Sequence, residues 1–198
     1  MKLLKFKILS NTFFKRGIKS VKDDFSIFLI TGYQGSGKTY FAVQELVNSN
    51  SSRTIITNIK SLKIPNRKII YFTHLYEIYN INDSKCTFVI DEVSKAFTKE
   101  SKQDKAFYSW LQQSRKHQRH VYLITQEYLQ VPTWLRGVAN KVYTTKKFIF
   151  SLFITSLGVP VLNDETKEWE TENYLYIIYK RTKNIASMYD TFELTNTL

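Results

Sequence analysis

The sequence is poor in cysteine and has no long apolar run. Its single cysteine, Cys86, excludes a disulfide bond within the chain and is consistent with a reducing compartment. A membrane-spanning helix requires roughly 18 apolar residues in succession, and the most apolar candidate, 148–162, is interrupted by Gly158 and Pro160. The N-terminus likewise lacks the continuous apolar region of a signal peptide, so the sequence predicts a protein that is neither secreted nor membrane-spanning.

Acidic residues are few relative to basic ones. The 198 residues include 29 Lys and Arg against 17 Asp and Glu, a formal net charge of +12. Such an excess favours a polyanionic partner, nucleic acid or an anionic membrane surface, although a genome biased towards lysine would raise the charge without any function. We interpret 1–22 as a basic arm that contacts nucleic acid, lies on a membrane or is a solvated extension. The remainder, 23–198, suits one domain.

Glycine is also scarce, but three of the six glycines fall within 32–39, which reads GYQGSGKT. This segment fits the phosphate-binding pattern G-x-x-x-x-G-K-[ST]. An apolar strand is predicted before it (25–31) and a helix after it (40–47), so that backbone N–H groups and the helix N-terminus can bind phosphate. Lys38 is predicted to contact the β- and γ-phosphates of ATP, and Thr39 to bind Mg²⁺. The predicted nucleotide-binding residues are Gly32, Tyr33, Gln34, Gly35, Ser36, Gly37, Lys38, Thr39 and Tyr40.

Two acidic residues follow another apolar strand. The run 86–90 is unbroken and ends at Asp91 and Glu92. An aspartate at the carboxyl end of a strand can hold the Mg²⁺ that bridges the phosphates, and Glu92 is placed to activate the attacking water. This pair is typical of ATPases, because P-loop kinases transfer the phosphoryl group to a substrate and must exclude water. A kinase acting on a small molecule stays an alternative.

A further apolar strand, 121–125, ends at Gln126 and is preceded by the basic segment 112–120. Gln126 is placed to contact the γ-phosphate and the attacking water as a sensor. Because the basic segment runs into this strand, we expect it near the nucleotide. Three arginines are candidates for a charge that acts on the nucleotide of a neighbouring subunit, although a helix macrodipole also favours cations here without any function. They are Arg115, Arg119 and, further along the chain, Arg136.

Strands that alternate with helices predict the α/β class. Besides the segments above, strands are predicted at 53–58 and 69–72, helical turns at 75–79 and a helix at 102–116. The last part of the chain, 142–153 and 174–179, has the pattern of an antiparallel pair, with the polar segment 163–168 as its loop. We therefore expect a P-loop NTPase fold of the RecA or additional-strand type. It would have a mainly parallel sheet flanked by helices and a C-terminal antiparallel hairpin.

Together these motifs resemble the FtsK–HerA superfamily of DNA-pumping ATPases, and within it the zonular occludens toxin-like branch and the small packaging ATPases of membrane-containing viruses. The residues that carry the resemblance are 32–39, Thr57, Asn58, 89–92, 114–120 and 124–126. The basic stretch that leads into a strand ending Thr-Gln is the discriminating part. The resemblance implies a ring, commonly a hexamer, with nucleotide between subunits and DNA in a central channel.

The resemblance further implies an ATP-hydrolysing translocase of viral DNA, with contacts independent of sequence, that packages a genome into a capsid. Capsid or virion membrane proteins would be partners, membrane contact would be peripheral, and the protein would be in the host cytoplasm or at the packaging vertex of the virion. Zonular occludens toxin-like proteins of filamentous phage usually continue into a transmembrane helix and a periplasmic portion, which this sequence does not show. This departure favours packaging. A phage assembly or export ATPase at a membrane and a nucleotide-binding protein without turnover stay alternatives.

Overall fold

The computed structural model describes residues 5–8, 25–49, 51–81, 83–149 and 151–190. Its strands, in chain order, are β1 (Lys5–Ile8), β2 (Ser26–Thr31), β3 (Ile55–Thr57), β4 (Ile69–Tyr71), β5 (Thr87–Ile90), β6 (His120–Ile124), β7 (Lys141–Ile149), β8 (Leu152–Leu162) and β9 (Trp169–Lys180). Its α-helices are α1 (Lys38–Asn48), α2 (Lys105–Gln112), α3 (Thr133–Val138) and α4 (Lys183–Ala186). Its 3-10 helices are Leu75–Asn80, Val93–Lys95 and Tyr128–Gln130.

The strands in these ranges form one sheet in the order β1-β9-β8-β7-β2-β6-β5-β3-β4. Six adjacent strands of this sheet run parallel to one another: β7, β2, β6, β5, β3 and β4. Strand β8 is antiparallel to both β7 and β9. Strand β6 lies between β2 and β5, as an additional-strand ATPase requires. The predicted fold class, a mainly parallel sheet with C-terminal antiparallel strands, is confirmed.

Both faces of the parallel part are covered, which is why its strands read as unbroken apolar runs. On one face α1 packs Phe41, Val43 and Leu46 against the sheet. On the other face α2 contributes Phe107 and Trp110. The sheet is thereby rigid in its centre, and the ends of its strands are available to carry a site. No α-helix in the described ranges has the length and apolar character needed to cross a bilayer.

Two helical predictions need adjustment. The turns predicted at 75–79 are present as the 3-10 helix Leu75–Asn80. The helix predicted at 102–116 is shorter, because the carboxylate of Asp104 caps its start by accepting hydrogen bonds from the N–H groups of Ala106 and Phe107. After Gln112 the chain continues as turns.

The predicted pairing of 142–153 with 174–179 holds only at Phe153, which pairs with Tyr179, and is wrong for 142–149. Strand β8 lies between β7 and β9, so the C-terminal part is a three-stranded meander. Gly158 and Pro160 fall inside β8 instead of ending it. Along β8, the pairing with β7 extends only as far as Gly158. At Pro160, β8 therefore has no β7 neighbour and is an edge strand, where proline is tolerated. The predicted loop 163–168 does connect two strands, β8 and β9.

The basic arm predicted at 1–22 lies mostly outside the described residues. Its segment 5–8 is β1, which pairs in parallel with β9 at the edge of the sheet. This part of the arm therefore belongs to the sheet.

Candidate functional site

The phosphate loop connects the carboxyl end of β2 to the start of α1, as predicted. Two of its glycines have positive φ and leave no space for a side chain. A Cβ on Gly32 (φ 146°) would collide with the carbonyl oxygen of Thr145, and one on Gly37 (φ 86°) would lie 2.8 Å from the ring of Phe153. Only glycine fits both the backbone conformation and the space at these two positions. The hairpin of β7 and β8 is thus in direct contact with the loop.

Lys38 folds over this loop. Its Nζ donates hydrogen bonds to the carbonyl oxygens of Gly32 (2.8 Å) and Tyr33 (3.1 Å). Burial lowers the pKa of the Lys38 ammonium, and the charges of Asp91 and Glu92 oppose that effect. The cation is therefore held inside the loop, where a bound anion would compensate its loss of solvation.

Thr39 and Asp91 meet at the start of α1. The hydroxyl of Thr39, the second residue of α1, donates a hydrogen bond to Oδ2 of Asp91, which follows β5, at 3.0 Å. Burial raises the pKa of Asp91 to about 6, although the hydrogen bonds from Thr39 and from the N–H of Glu92 act in the opposite direction. A hydroxyl and a carboxylate oxygen are hard donors of the kind that Mg²⁺ prefers, so this pair fits the predicted metal.

Asn58, at the end of β3, fixes the backbone of Asp91. Its Nδ2 donates to the carbonyl oxygen of Asp91 (2.9 Å), and its Oδ1 accepts from the N–H of Asp91 (2.8 Å). Both bonds join neighbouring strands just beyond their last paired residues. Asn58 therefore positions the carboxylate without having to contact the nucleotide.

Glu92 follows in the left-handed region (φ 54°), which few non-glycine residues adopt. Its carboxylate forms an ion pair with Lys95 one turn later. The side chain is partly exposed and lines the same cavity as Lys38 and Asp91. Strained conformations of this kind are common at functional sites, and this one stands where the predicted general base should be.

Gln126 is exposed at the end of β6, and its backbone carbonyl accepts a hydrogen bond from Gly32 at 3.0 Å. The predicted sensor is thus attached to the first residue of the phosphate loop. Beside it, the hydroxyl of Thr125 is buried and has no hydrogen-bond partner among the described residues. A buried hydroxyl of this kind usually has a partner, so a water molecule or ligand oxygen fits here.

One cavity collects these side chains. Of the predicted residues, it is lined by Gln34, Gly35, Gly37, Lys38, Thr39, Tyr40, Asp91, Glu92 and Gln126. Four other lining residues were not predicted: Ile59, Thr125, Tyr189 and Asp190. Thr125 could have been found from its place in the Thr-Gln strand end, whereas nothing local marks the other three.

Tyr189 and Asp190 reach the cavity because the chain after β9 crosses α1. The N–H of Thr182 donates to the hydroxyl of Tyr40 (2.9 Å). At the far end, the N–H of Lys63 donates to the carbonyl of Met188 (2.7 Å), and the N–H of Asp190 donates to the hydroxyl of Ser61 (2.8 Å). These contacts bring together residues more than a hundred positions apart, so no sequence pattern could reveal them.

The arginine predictions are only partly compatible with the structure. Arg119 is 1% exposed, donates to the carbonyl oxygen of Ile81 at 2.6 Å, and packs over Phe88 and Trp110. Its burial contradicts a role on a neighbouring subunit. Arg136 is fully buried as well and donates to the carbonyl oxygen of Trp169. Both guanidinium groups support the fold.

The expected position of the basic segment 112–120 is wrong. Strand β6 is parallel to β2, and the segment precedes β6, so it lies at the amino edge of the sheet. The phosphate loop follows β2 at the carboxyl edge. Five residues at about 3.3 Å each separate the two edges. Arg115 is exposed at this amino edge, with its guanidinium 5.8 Å from the ring of Phe25. It is the remaining candidate of the three.

A phosphate loop on β2, an acidic pair on β5 and a polar residue on the intervening β6 define a P-loop NTPase. The sequence pattern described as zonular occludens toxin (Zot) matches residues 26–157, two thirds of the chain. The protein belongs to this family. Among curated proteins, no sequence matches the chain significantly.

Solved structures agree with this fold. The N-terminal domain of zonular occludens toxin from Neisseria meningitidis superposes with a TM-score of 0.62 at 21% identity, covering 83% of this chain and 98% of that chain. The genome packaging NTPase B204 from Sulfolobus turreted icosahedral virus 2, in complex with ATP-gammaS, gives 0.54 at 13% identity, covering 76% and 97%. The RadB recombinase gives 0.52 at 16%, covering 79% and 87%. At these identities the likeness concerns the fold.

Proposed function

We propose that the protein is an ATP-hydrolysing DNA translocase, and specifically the genome-packaging ATPase of a virus. The observation that carries the proposal is the contact of Thr39 with Asp91 beside Glu92, in one cavity with the phosphate loop. The phosphate loop accounts for binding of the phosphates, but not for their hydrolysis. Hydrolysis by water needs a base at the γ-phosphate, and Glu92 supplies one.

In this proposal the loop amides and Lys38 bind the β- and γ-phosphates. Thr39 and Asp91 would hold Mg²⁺, which neutralises charge on the phosphate oxygens when bound. Glu92 accepts a proton from a water molecule as its oxygen attacks the γ-phosphorus, and Gln126 orients that water. The bond from the γ-phosphorus to the bridging oxygen breaks, so that ADP and inorganic phosphate are formed.

DNA as the substrate is supported by charge and by one structural relative. The net charge of +12 suits a polyanion, and the B204 relative is a genome packaging NTPase. The subunits would assemble as a ring, commonly of six, with nucleotide between them. Such a motor would act in the host cytoplasm or at the packaging vertex, alongside capsid or virion membrane proteins.

Replacement of Glu92 by Gln tests the hydrolytic role. The amide keeps the shape of the side chain but cannot accept the proton, so we expect ATP to bind normally while turnover falls by about 10² or more. Phosphate release and binding of a fluorescent ATP analogue measure the two properties. Because Glu92 also pairs with Lys95, the matched control is Lys95→Gln, which removes the ion pair and keeps the carboxylate. Hydrolysis at the wild-type rate in Glu92→Gln would remove Glu92 as the base.

A second candidate, an assembly or export ATPase at a membrane, is favoured by the family membership. Flotation with anionic liposomes separates the two. The variant for this test replaces Lys15, Arg16, Lys19 and Lys22 by Gln, because deletion of 1–22 would also remove β1. Flotation that depends on these four cations supports the membrane role.

A small-molecule kinase is the remaining alternative. DNA-stimulated phosphate release without a phosphorylated product would exclude it.

A further inference from the structure

The hairpin of β7 and β8 extends beyond the phosphate-loop edge of the sheet. Strand β2 pairs with β7 only as far as Thr144, whereas β7 continues to Ile149. The last four residues of β7, 146–149, are all exposed, and Phe148 and Ile149 keep 60% and 50% of their surface in solvent. We call 146–149 the β7–β8 tip. It presents two lysines followed by two large apolar side chains.

The surroundings of the tip in the chain are cationic. No Asp or Glu occurs in 128–163, a range that covers β7 and β8 entirely. None occurs in 173–189 either, a range that includes the part of β9 beside the tip, where Lys180 pairs with Leu152. Acidic residues of β9 lie at its opposite end. This edge of the meander therefore carries lysine without nearby carboxylates on its own strands, which suits a phosphate backbone.

Both strands of the hairpin contact the phosphate loop directly. On β7, the hydroxyl of Thr145 lies 2.8 Å from that of Ser36 and donates to the carbonyl oxygen of Thr31 at 3.2 Å. On β8, the ring of Phe153 occupies the space beside Gly37. Thr145 immediately precedes Lys146, and Phe153 immediately follows Leu152. A shift of the loop on binding or loss of nucleotide would therefore be transmitted to the tip.

We propose that the β7–β8 tip is the part of this motor that contacts nucleic acid, and that Thr145 and Phe153 couple it to the nucleotide. This inference rests on the proposed function. Lys146 and Lys147 bind backbone phosphates. Phe148 stacks on a base, which only an unpaired strand offers, so the tip selects single-stranded over duplex DNA.

A membrane is the other surface that lysines beside apolar residues can meet. Two half-exposed apolar side chains offer less apolar area than a single acyl chain, and even an acyl chain alone gives only marginal membrane binding. Attachment to the phosphate loop also has no evident purpose for a static anchor. Nucleic acid is therefore the better occupant.

The first experiment replaces both lysines, Lys146→Gln with Lys147→Gln, and measures binding of an oligothymidylate over a range of salt concentrations. Loss of two phosphate contacts should reduce the slope of log K against log salt by about 1.4, at about 0.7 per contact for single strands. The control, Lys85→Gln with Lys116→Gln, makes the same change of charge at exposed positions on the opposite edge and should keep the wild-type slope. Phe148→Ala should weaken binding of the oligothymidylate and leave duplex binding unchanged.

The outcomes are distinct. If the wild-type protein binds no DNA, the proposed function and this inference both fail. If the wild type binds and the tip variant keeps its slope, or if both lysine pairs reduce the slope equally, the inference fails and the proposed function stands. Binding of anionic vesicles that is lost in the tip variant while oligothymidylate binding is kept would assign the tip to a membrane instead.

The coupling is tested with Thr145→Val and Phe153→Leu, two variants that alter opposite strands of the hairpin. Each should bind the oligothymidylate as the wild type does but lose several-fold of the DNA-stimulated increase in ATP turnover. Thermal melts identify a variant that has lost its fold, in which case the other one decides. Full stimulation in the folded variants would show that the tip is not coupled to the loop through these residues.

Discussion

At Asp91 the demands of folding and of metal binding oppose each other. The carboxylate is desolvated next to Thr39, and the pKa of Asp91 is raised to about 6. Asn58 holds the backbone of Asp91 in place through two hydrogen bonds. The carboxylate itself accepts hydrogen bonds from Thr39 and from the N–H of Glu92, which only partly offset the cost of burying its charge. A bound cation would remove that cost. The site is thus built for a ligand at the expense of stability.

Asp91→Asn should stabilise the nucleotide-free protein at neutral pH. The folded state holds a proton on Asp91 more tightly than the unfolded state, so its contribution to stability is present below the ordinary pKa of 3.8 and lost as pH rises through about 6. Near pH 7.5 the asparagine variant should gain on the order of 1 kcal/mol, less than the full shift implies because the residue is partly exposed.

Thermal unfolding without nucleotide measures this gain. The difference in Tm between wild type and variant should shrink as the pH is lowered towards 4, because the buried Asp91 of the folded protein is then protonated and uncharged, like asparagine. The Asp91→Asn variant should also bind ATP with Mg²⁺ more weakly than the wild type. A variant less stable than the wild type near neutral pH would contradict the argument.

At the scale of elements, predictability follows from how local each contact is. The strand, loop and helix at 25–47 could be predicted because one continuous segment contains the whole phosphate-binding motif. Asp91 and Gln126 could be placed beside it because carboxyl ends of parallel strands share an edge. The same rule places the basic segment 112–120 at the amino edge, because this segment precedes its strand. Arg119 is buried because it packs against Trp110 of α2, a contact that no local pattern shows. The crossing of α1 by 182–190 is non-local as well.

Two residues of that crossing segment, Tyr189 and Asp190, line the nucleotide cavity. In the proposed function the loop amides and Lys38 bind the phosphates, which leaves the wall formed by Tyr189, Asp190 and Ile59 for the nucleoside. Tyr189→Leu should therefore raise the Kd for ATP by up to about tenfold. Inorganic tripolyphosphate, which has no nucleoside, should bind the variant and the wild type equally.

Because Tyr189 is buried, a melting curve must first show that the leucine variant is folded. Asp190→Asn, at an exposed neighbour that lines the same cavity, is the companion variant. An equal loss of affinity for ATP and tripolyphosphate would mean that Tyr189 acts through the phosphate loop and not through the nucleoside.

For the whole molecule, the two edges of the sheet have different roles. The nucleotide cavity is at the carboxyl edge, and Arg115 is exposed at the amino edge, so it cannot reach the nucleotide of its own subunit. Arg115 could therefore act only on the nucleotide of a neighbouring subunit. This requires head-to-tail contact between copies, as in a closed ring.

Subunit mixing tests this arrangement. Lys38→Ala removes a subunit's own site and keeps its arginine; Arg115→Ala does the reverse. Alone, the arginine variant should lose about 10³-fold in turnover, as expected when a charge is removed from the transition state. In an equal mixture, a site works where an Arg115→Ala subunit receives the arginine of a Lys38→Ala neighbour, so about one quarter of the wild-type turnover should return. Lys116→Ala, next to Arg115 and equally exposed, should be active by itself. If differently tagged subunits co-purify as mixed assemblies and no activity returns, Arg115 does not act between subunits.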